Sequence, residues 1–127
     1  MHIEHLALWT LRLEQMREFY TAHFECTAGP RYVNPTTGFS SYFLSFASGV
    51  RLELMTRPDV TANRTGSPAA GYAHLAIAVG SEDRVRALTE SLRAQGVTVQ
   101  SAPRRTGDGY FESVILDPDG NPIELTV

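Results

Sequence analysis

Asp117-Pro118-Asp119-Gly120-Asn121-Pro122-Ile123-Glu124-Leu125-Thr126-Val127 reads as a tight turn feeding a short strand. The Asp-Pro and Asp-Gly steps are turn chemistry. Side chains alternate between the faces of a strand. With Ile123 and Leu125 turned into a core, Glu124 points to the opposite face. An ionised carboxylate in so apolar a strand is costly unless it is solvated, paired or bound to a metal. Three other places share this character: His5 in Glu4-His5-Leu6-Ala7-Leu8, Glu53 in Leu52-Glu53-Leu54-Met55-Thr56, and His74 in Ala73-His74-Leu75-Ala76-Ile77.

Working outward, the chain repeats itself. Residues 2–9 alternate as a strand, with His5, Ala7 and Trp9 on one face and Leu6 and Leu8 on the other. Leu13, Met16, Phe19/Tyr20 and His23 recur at helical steps between Leu11 and Phe24. Strands follow at 26–33, Phe39 to Ala47 and Val50 to Thr56. Residues 58–71, rich in Pro, Gly and polar residues, read as a linker. The order then recurs. Tyr72 to Val79 is a strand, and Ser81 opens a helix whose stripe is Val85, Leu88 and Leu92 and whose stop is Gly96. Strands are predicted at Val97 to Ala102, Tyr110 to Leu116 and the terminal segment, with a loop from Pro103 to Gly109. His5 precedes Glu53 by 48 residues, and His74 precedes Glu124 by 50. Shared sequence scraps at shared spacing predict an α+β fold made of two βαβββ modules. They are residues 1–57 and 72–127, joined by 58–71 within one domain.

Composition narrows the function. The chain has 127 residues, 43% of them hydrophobic and 20% charged, with a formal net charge of −3, which suits an ordinary globular domain. Its Lys and Arg residues are scattered, so neither nucleic acid nor an anionic membrane is an expected partner. No apolar run reaches the roughly 20 residues of a membrane span. The beginning of the chain lacks a secretory signal pattern. The single Cys26 forms no internal disulfide, and a cytoplasmic location is expected.

A lone strand His or Glu is most often a hydrogen-bonded or solvated residue. Four of them at equivalent places in two copies point instead to a shared role. If the two sheets form one curved surface, His5, Glu53, His74 and Glu124 converge. Two imidazoles and two carboxylates suit a divalent first-row metal with open positions for water or substrate.

The paired βαβββ pattern, the two His-Leu-Ala strands and the Asp117-to-Glu124 ending resemble the vicinal oxygen chelate superfamily, also called the glyoxalase/bleomycin resistance/extradiol dioxygenase superfamily. The resemblance covers nearly the whole chain and implies a curved mixed sheet around a cavity. Motif by motif, His5, Glu53, His74 and Glu124 fall where glyoxalase I enzymes (lactoylglutathione lyases) hold their metal. That implies one divalent metal per site (Ni, Zn, Co, Mn or Fe) and a lyase or isomerase acting on a small oxygenated substrate, with Glu124 as the proton-moving base and Glu53 as its partner. It also implies that the modules pair within a chain or across two, and a homodimer is expected because a single open sheet leaves edges and a concave face to cover.

Two other readings within the superfamily are a ligand-sequestering resistance-type binding protein and a metal-dependent dioxygenase. The extra carboxylate Glu53 sets this chain apart from the pattern of two His and one Glu that dioxygenases resemble. Where glutathione-using members have an Arg, this chain has Trp9, which suits a more apolar pocket wall. Tyr110, in the loop 106–111, and the neighbouring Arg104 and Arg105 are the remaining pocket candidates, the arginines for an anionic group.

Overall fold

Each half of the chain lays a strand, crosses by a helix, and returns to pair a later strand parallel to the first. The computed structural model describes residues 3–62, 71–107 and 109–127. It divides into two compact units, Met1–Arg64 and Thr65–Val127. Most of the expected linker, residues 63–70, lies outside the described residues, as does Asp108 in the expected loop.

In the first unit β1 (His5–Trp9), α1 (Leu13–His23), β2 (Thr27–Ala28), β3 (Tyr32–Val33), β4 (Ser40–Ser45) and β5 (Arg51–Thr56) follow in order. The sheet order is β1-β5-β4-β2, and β3 also pairs with β4. The strand expected over 26–33 is thus two short pieces on one neighbour; Gly29 and Pro30 interrupt it, and Pro brings no N–H to a ladder. Leu13, Met16 and Tyr20 of α1 are buried, with Leu44, Leu52 and Leu54 of the sheet. Cys26 is buried too, its thiol donating to the Tyr20 carbonyl at 3.3 Å; burial pushes its pKa up, as befits a small core residue rather than a nucleophile.

The second unit runs β6 (Leu75–Ala78), α2 (Glu82–Ala94), β7 (Val99–Arg105), β8 (Phe111–Leu116) and β9 (Pro122–Thr126), in sheet order β6-β9-β8-β7. The Ser81 side chain caps α2, accepting from the Arg84 backbone N–H at 3.2 Å, and Gly96 takes φ +84° just past the helix end. The buried stripe is Val85, Thr89 and Leu92, with Leu88 only half-buried. Thr89 replaces the expected Leu88 because a partner meets it inside: its hydroxyl lies 2.6 Å from Ser113 Oγ and donates to the Val85 carbonyl at 2.6 Å. Pro103, Arg104 and Arg105 belong to β7, not to a loop. β7 is an edge strand with register shifts between Val99 and Arg104, and such irregular edges admit proline.

The Asp117–Asn121 turn is tied by the side chain of Asp117, which is 4% exposed. Its Oδ1 accepts from the backbone N–H groups of Asp119 at 3.0 Å and Asn121 at 2.8 Å, and its Oδ2 from the Asn121 amide at 2.7 Å. Gly120 supplies φ +77°, as the turn requires. The turn fixes where β9 enters the sheet and so the height of Glu124. Among the described residues no helix is long and apolar enough to cross a membrane.

Removing the Asp117 carboxylate strands these part-buried donors. Asp117→Ala is expected to lower the unfolding free energy by about 1–3 kcal/mol, read as a drop in the urea midpoint at unchanged slope.

Candidate functional site

In the first unit β1 and β5 pair in parallel, with Ala7 opposite Glu53 and Trp9 opposite Met55. Leu52 and Leu54 are buried at 2% and 0% exposure, on the face that packs on α1. His5, Ala7, Trp9, Glu53 and Met55 therefore share the face away from the helix. There His5 Nε2 stands 3.9 Å from Glu53 Oε2, with side-chain exposures of 39% and 15%. The other ring nitrogen, Nδ1, bonds to the Glu4 carboxylate. Glu4 in turn pairs with Arg51. Arg51 stacks over the Phe43 ring at 4.1 Å, and Phe43 meets His5 edge-on at 5.4 Å. The bond from His5, opposed by desolvation and reinforced by Arg51, holds the Glu4 carboxyl below its ordinary pKa. A carboxylate at Nδ1 fixes the imidazole so that Nε2 faces Glu53.

The second unit repeats the register. Ala76 lies opposite Glu124 in the parallel β6–β9 pair, while Ile123 and Leu125 are fully buried. His74, just ahead of β6, has Nε2 3.5 Å from Glu124 Oε2, with side-chain exposures of 46% and 16%. The position equivalent to Glu4 is Ala73, which offers no side-chain acceptor. Val114 sits opposite Glu124 on β8 where Phe43 sits opposite Glu53 on β4.

Each unit thus presents one imidazole nitrogen and one carboxylate oxygen to each other, beyond hydrogen-bond length. Two donors bound about 2.0–2.2 Å from one first-row ion lie roughly 2.9–3.5 Å apart. The observed 3.5 and 3.9 Å need only a small side-chain rotation to reach that spacing, so the donor pairs fit such a metal. Within either unit, no further His, Cys, Asp or Glu among the described residues completes a metal-binding group of three.

The remaining candidates separate. Trp9 is 45% exposed, meets Phe39 edge-on at 6.1 Å, and carries the Arg57 guanidinium 5.1 Å above its ring. With Arg57, Asp59, Val60 and Thr61 it lines an open recess of about 220 Å³. Arg104 lies opposite Glu112 and donates to it at 3.1 Å. Glu112 pairs with Thr126 just as Val114 pairs with Glu124, so Arg104, Glu112 and Glu124 share one face. Arg105 faces the other side, held by Glu82 of α2, by the Gly109 carbonyl at 3.0 Å and against the Phe111 ring. Tyr110 is 57% exposed; its carbonyl accepts from the Thr106 backbone N–H at 2.8 Å.

Sequence reading passed over Glu4 and Glu112. Glu4 adjoins a candidate ligand in the chain, but the second copy has Ala73 at that place, so repetition does not mark it. Glu112 alternates with buried Phe111 and Ser113 as Glu124 alternates with Ile123, a pattern open to reading once Arg104 is placed in the neighbouring strand.

The profile of the Glyoxalase/Bleomycin resistance protein/Dioxygenase superfamily matches residues 2–125, and the chain belongs to that superfamily. An uncharacterized protein of Bacillus subtilis (strain 168), YwkD, is 29% identical over 125 residues, covering 97% of this chain and 94% of that protein. The crystal structure of a glyoxalase family protein from Enterococcus faecalis superposes with a TM-score of 0.83 at 24% identity, over 99% of this chain and 97% of that one. Glyoxalase I from Zea mays gives a TM-score of 0.81 at 23% identity over 98% of this chain. The present chain covers only 44% of the maize protein. These likenesses establish the glyoxalase-like α+β fold.

Because the Glu4 pKa is depressed in the folded chain, its contribution is present above the ordinary value of 4.5 and is lost as the pH falls below it through the depressed value. The stability gap between wild type and Glu4→Gln is therefore expected to be widest near neutrality and to close in acid, as urea midpoints measured across that range would record.

Proposed function

We propose that His5, Glu53, His74 and Glu124 hold one divalent metal, and that the protein is a metal-dependent lyase or isomerase of the glyoxalase type acting on a small oxygenated substrate. The observation that carries this is the repeated pair. In each unit the parallel register brings a His Nε2 to face a carboxylate that is only 15–16% exposed and whose two strand neighbours are buried apolar residues. Two such pairs, joined within a chain or across a homodimer, make a donor set of two nitrogens and two carboxylates. Membership of a superfamily that includes glyoxalases supports the same assignment.

When bound, the metal would act as a Lewis acid on two adjacent substrate oxygens, easing proton removal from the carbon beside them. The chain supplies the rest. Glu124 takes the proton at its carboxylate oxygen and returns it to the neighbouring carbon, with Glu53 serving the opposite side. Glu4, on Nδ1 of His5, keeps the imidazole aimed through Nε2. Ala76 and Val114 lie opposite Glu124 on the two neighbouring strands, and the carboxylate is 16% exposed. Trp9 stands where an arginine would grip the carboxylate of a glutathione substrate, and it supports a substrate without that group.

The deciding measurement is the metal content of untagged protein purified without added metal, beside the Glu53→Gln/Glu124→Gln double variant. About one nickel, zinc, cobalt, iron or manganese per chain is expected in the wild type and none in the variant. Nickel, cobalt or zinc would favour the isomerase, whereas iron or manganese would raise the dioxygenase. No metal, even after incubation at neutral pH, would sink the proposal and leave a sequestering protein, the reading that the Trp9 recess then favours. In the loaded enzyme, Glu124→Gln is expected to lower kcat by about 100-fold or more, measured with methylglyoxal and a panel of thiols. Glu4→Ala is expected to weaken metal binding by about 10–100-fold, read by competition with a chromogenic chelator.

A further inference from the structure

We infer that the sheet face beside Glu53 is a subsite for a flat, uncharged aromatic ring, so that the substrate carries such a ring next to its chelating oxygens. The inference rests on the proposed metal only for the oxygens. The ring site stands on the first unit alone.

Trp9, Phe39 and Tyr32 form a continuous aromatic surface: Trp9 meets Phe39 at 6.1 Å and Phe39 meets Tyr32 at 6.0 Å. Trp9 and Tyr32 are nevertheless 45% and 55% exposed. Large aromatic side chains left open together, beside a recess, are the usual wall of a small-molecule pocket. The indole does not swing freely, because Phe39 meets it edge-on and Arg57 lies over its ring. A platform already fixed costs little ordering when a ligand lands on it.

The rim chemistry decides what kind of ring. Of the residues lining the recess, Arg57 is the cation and Asp59 the anion, and the two are already paired. The pair is exposed and leaves the rim with one charge of each sign, so the recess offers no net charge to a charged ligand, and a neutral ring meets Trp9, Val60 and Thr61 without needing a counter-charge. The register sets the distance. Glu53 lies opposite Ala7, and Trp9 is two residues further along the same strand, a separation of about 6.6 Å along the sheet. A benzene ring carrying two vicinal oxygens on its side chain spans that gap.

The test uses two chelators with the same oxygens, benzohydroxamate and acetohydroxamate, titrated by calorimetry into the zinc-loaded full chain. Trp9 is the single tryptophan, so one indole N–H resonance reports its contact. Benzohydroxamate is expected to bind at least about tenfold tighter, the scale of one good aromatic contact plus burial, and to shift that resonance. Trp9→Ala should erase the preference while leaving acetohydroxamate affinity unchanged, and Trp9→Phe should keep most of it. Equal affinities in the wild type, or a preference that survives Trp9→Ala, would overturn the ring site. If neither hydroxamate binds, the proposed chelation of substrate oxygens at the metal falls instead. The ring site is then judged on metal-free protein with 2-naphthol, where a saturable shift of the indole resonance upholds it and no shift overturns it.

Discussion

Two parallel strand pairings govern everything else in the molecule. Where β1 runs beside β5, and β6 beside β9, the alignment sets Ala7 against Glu53 and Ala76 against Glu124. Each His then lies two residues before the alanine that faces its Glu, on the same side of the sheet. A slip of one residue in either ladder would turn the carboxylate into the helix-packed core and a leucine or isoleucine out to the site face. The buried leucines and isoleucines around Glu53 and Glu124 therefore do more than fill a core. They lock the register, and the register presents the polar pairs.

Much of this was legible in the sequence because period and repetition carry it. The turn at Asp117–Asn121, the alternation around Glu124 and the repeated His-Leu-Ala strands lead to the α+β class and to the His and Glu that face each other in each unit. The helix stripes follow from spacing alone, apart from Thr89. Composition did not mark that threonine as core, since its fitness depends on Ser113, 24 residues away. Arg104 and Arg105 look equivalent in the sequence, but a strand parts them. One reaches Glu112 and the other Glu82, because neighbouring residues of β7 face opposite sides. Pro103 suggested a loop there; only the position of β7 at the sheet edge explains why a strand tolerates it.

The two units are alike in topology but unequal in detail. His5 is braced by Glu4, Arg51 and Phe43, whereas His74 follows Ala73 and lies ahead of its strand. The first unit carries the aromatic surface and the neutral rim, and the second carries the Arg104–Glu112 pair on the face of Glu124. Repetition of the module accounts for the paired His and Glu residues, and the surroundings of the two pairs have diverged.

The chain order of the strands has a consequence for how the protein is made. In both sheets the Glu-bearing strand lies inside: β5 sits between β1 and β4, and β9 between β6 and β8. Each is nonetheless the last strand of its unit to leave the ribosome. Until it arrives, the first strand has no partner in its sheet, and its leucines stay open to water. The β6–β9 closure must wait for nearly fifty intervening residues, a long-range contact of the kind that slows folding and exposes unpaired strands to misassembly. Folding of each half and completion of its His–Glu pair are thus a single event, so a nascent chain halted before the glutamate of a unit has neither that unit's finished sheet nor its facing pair.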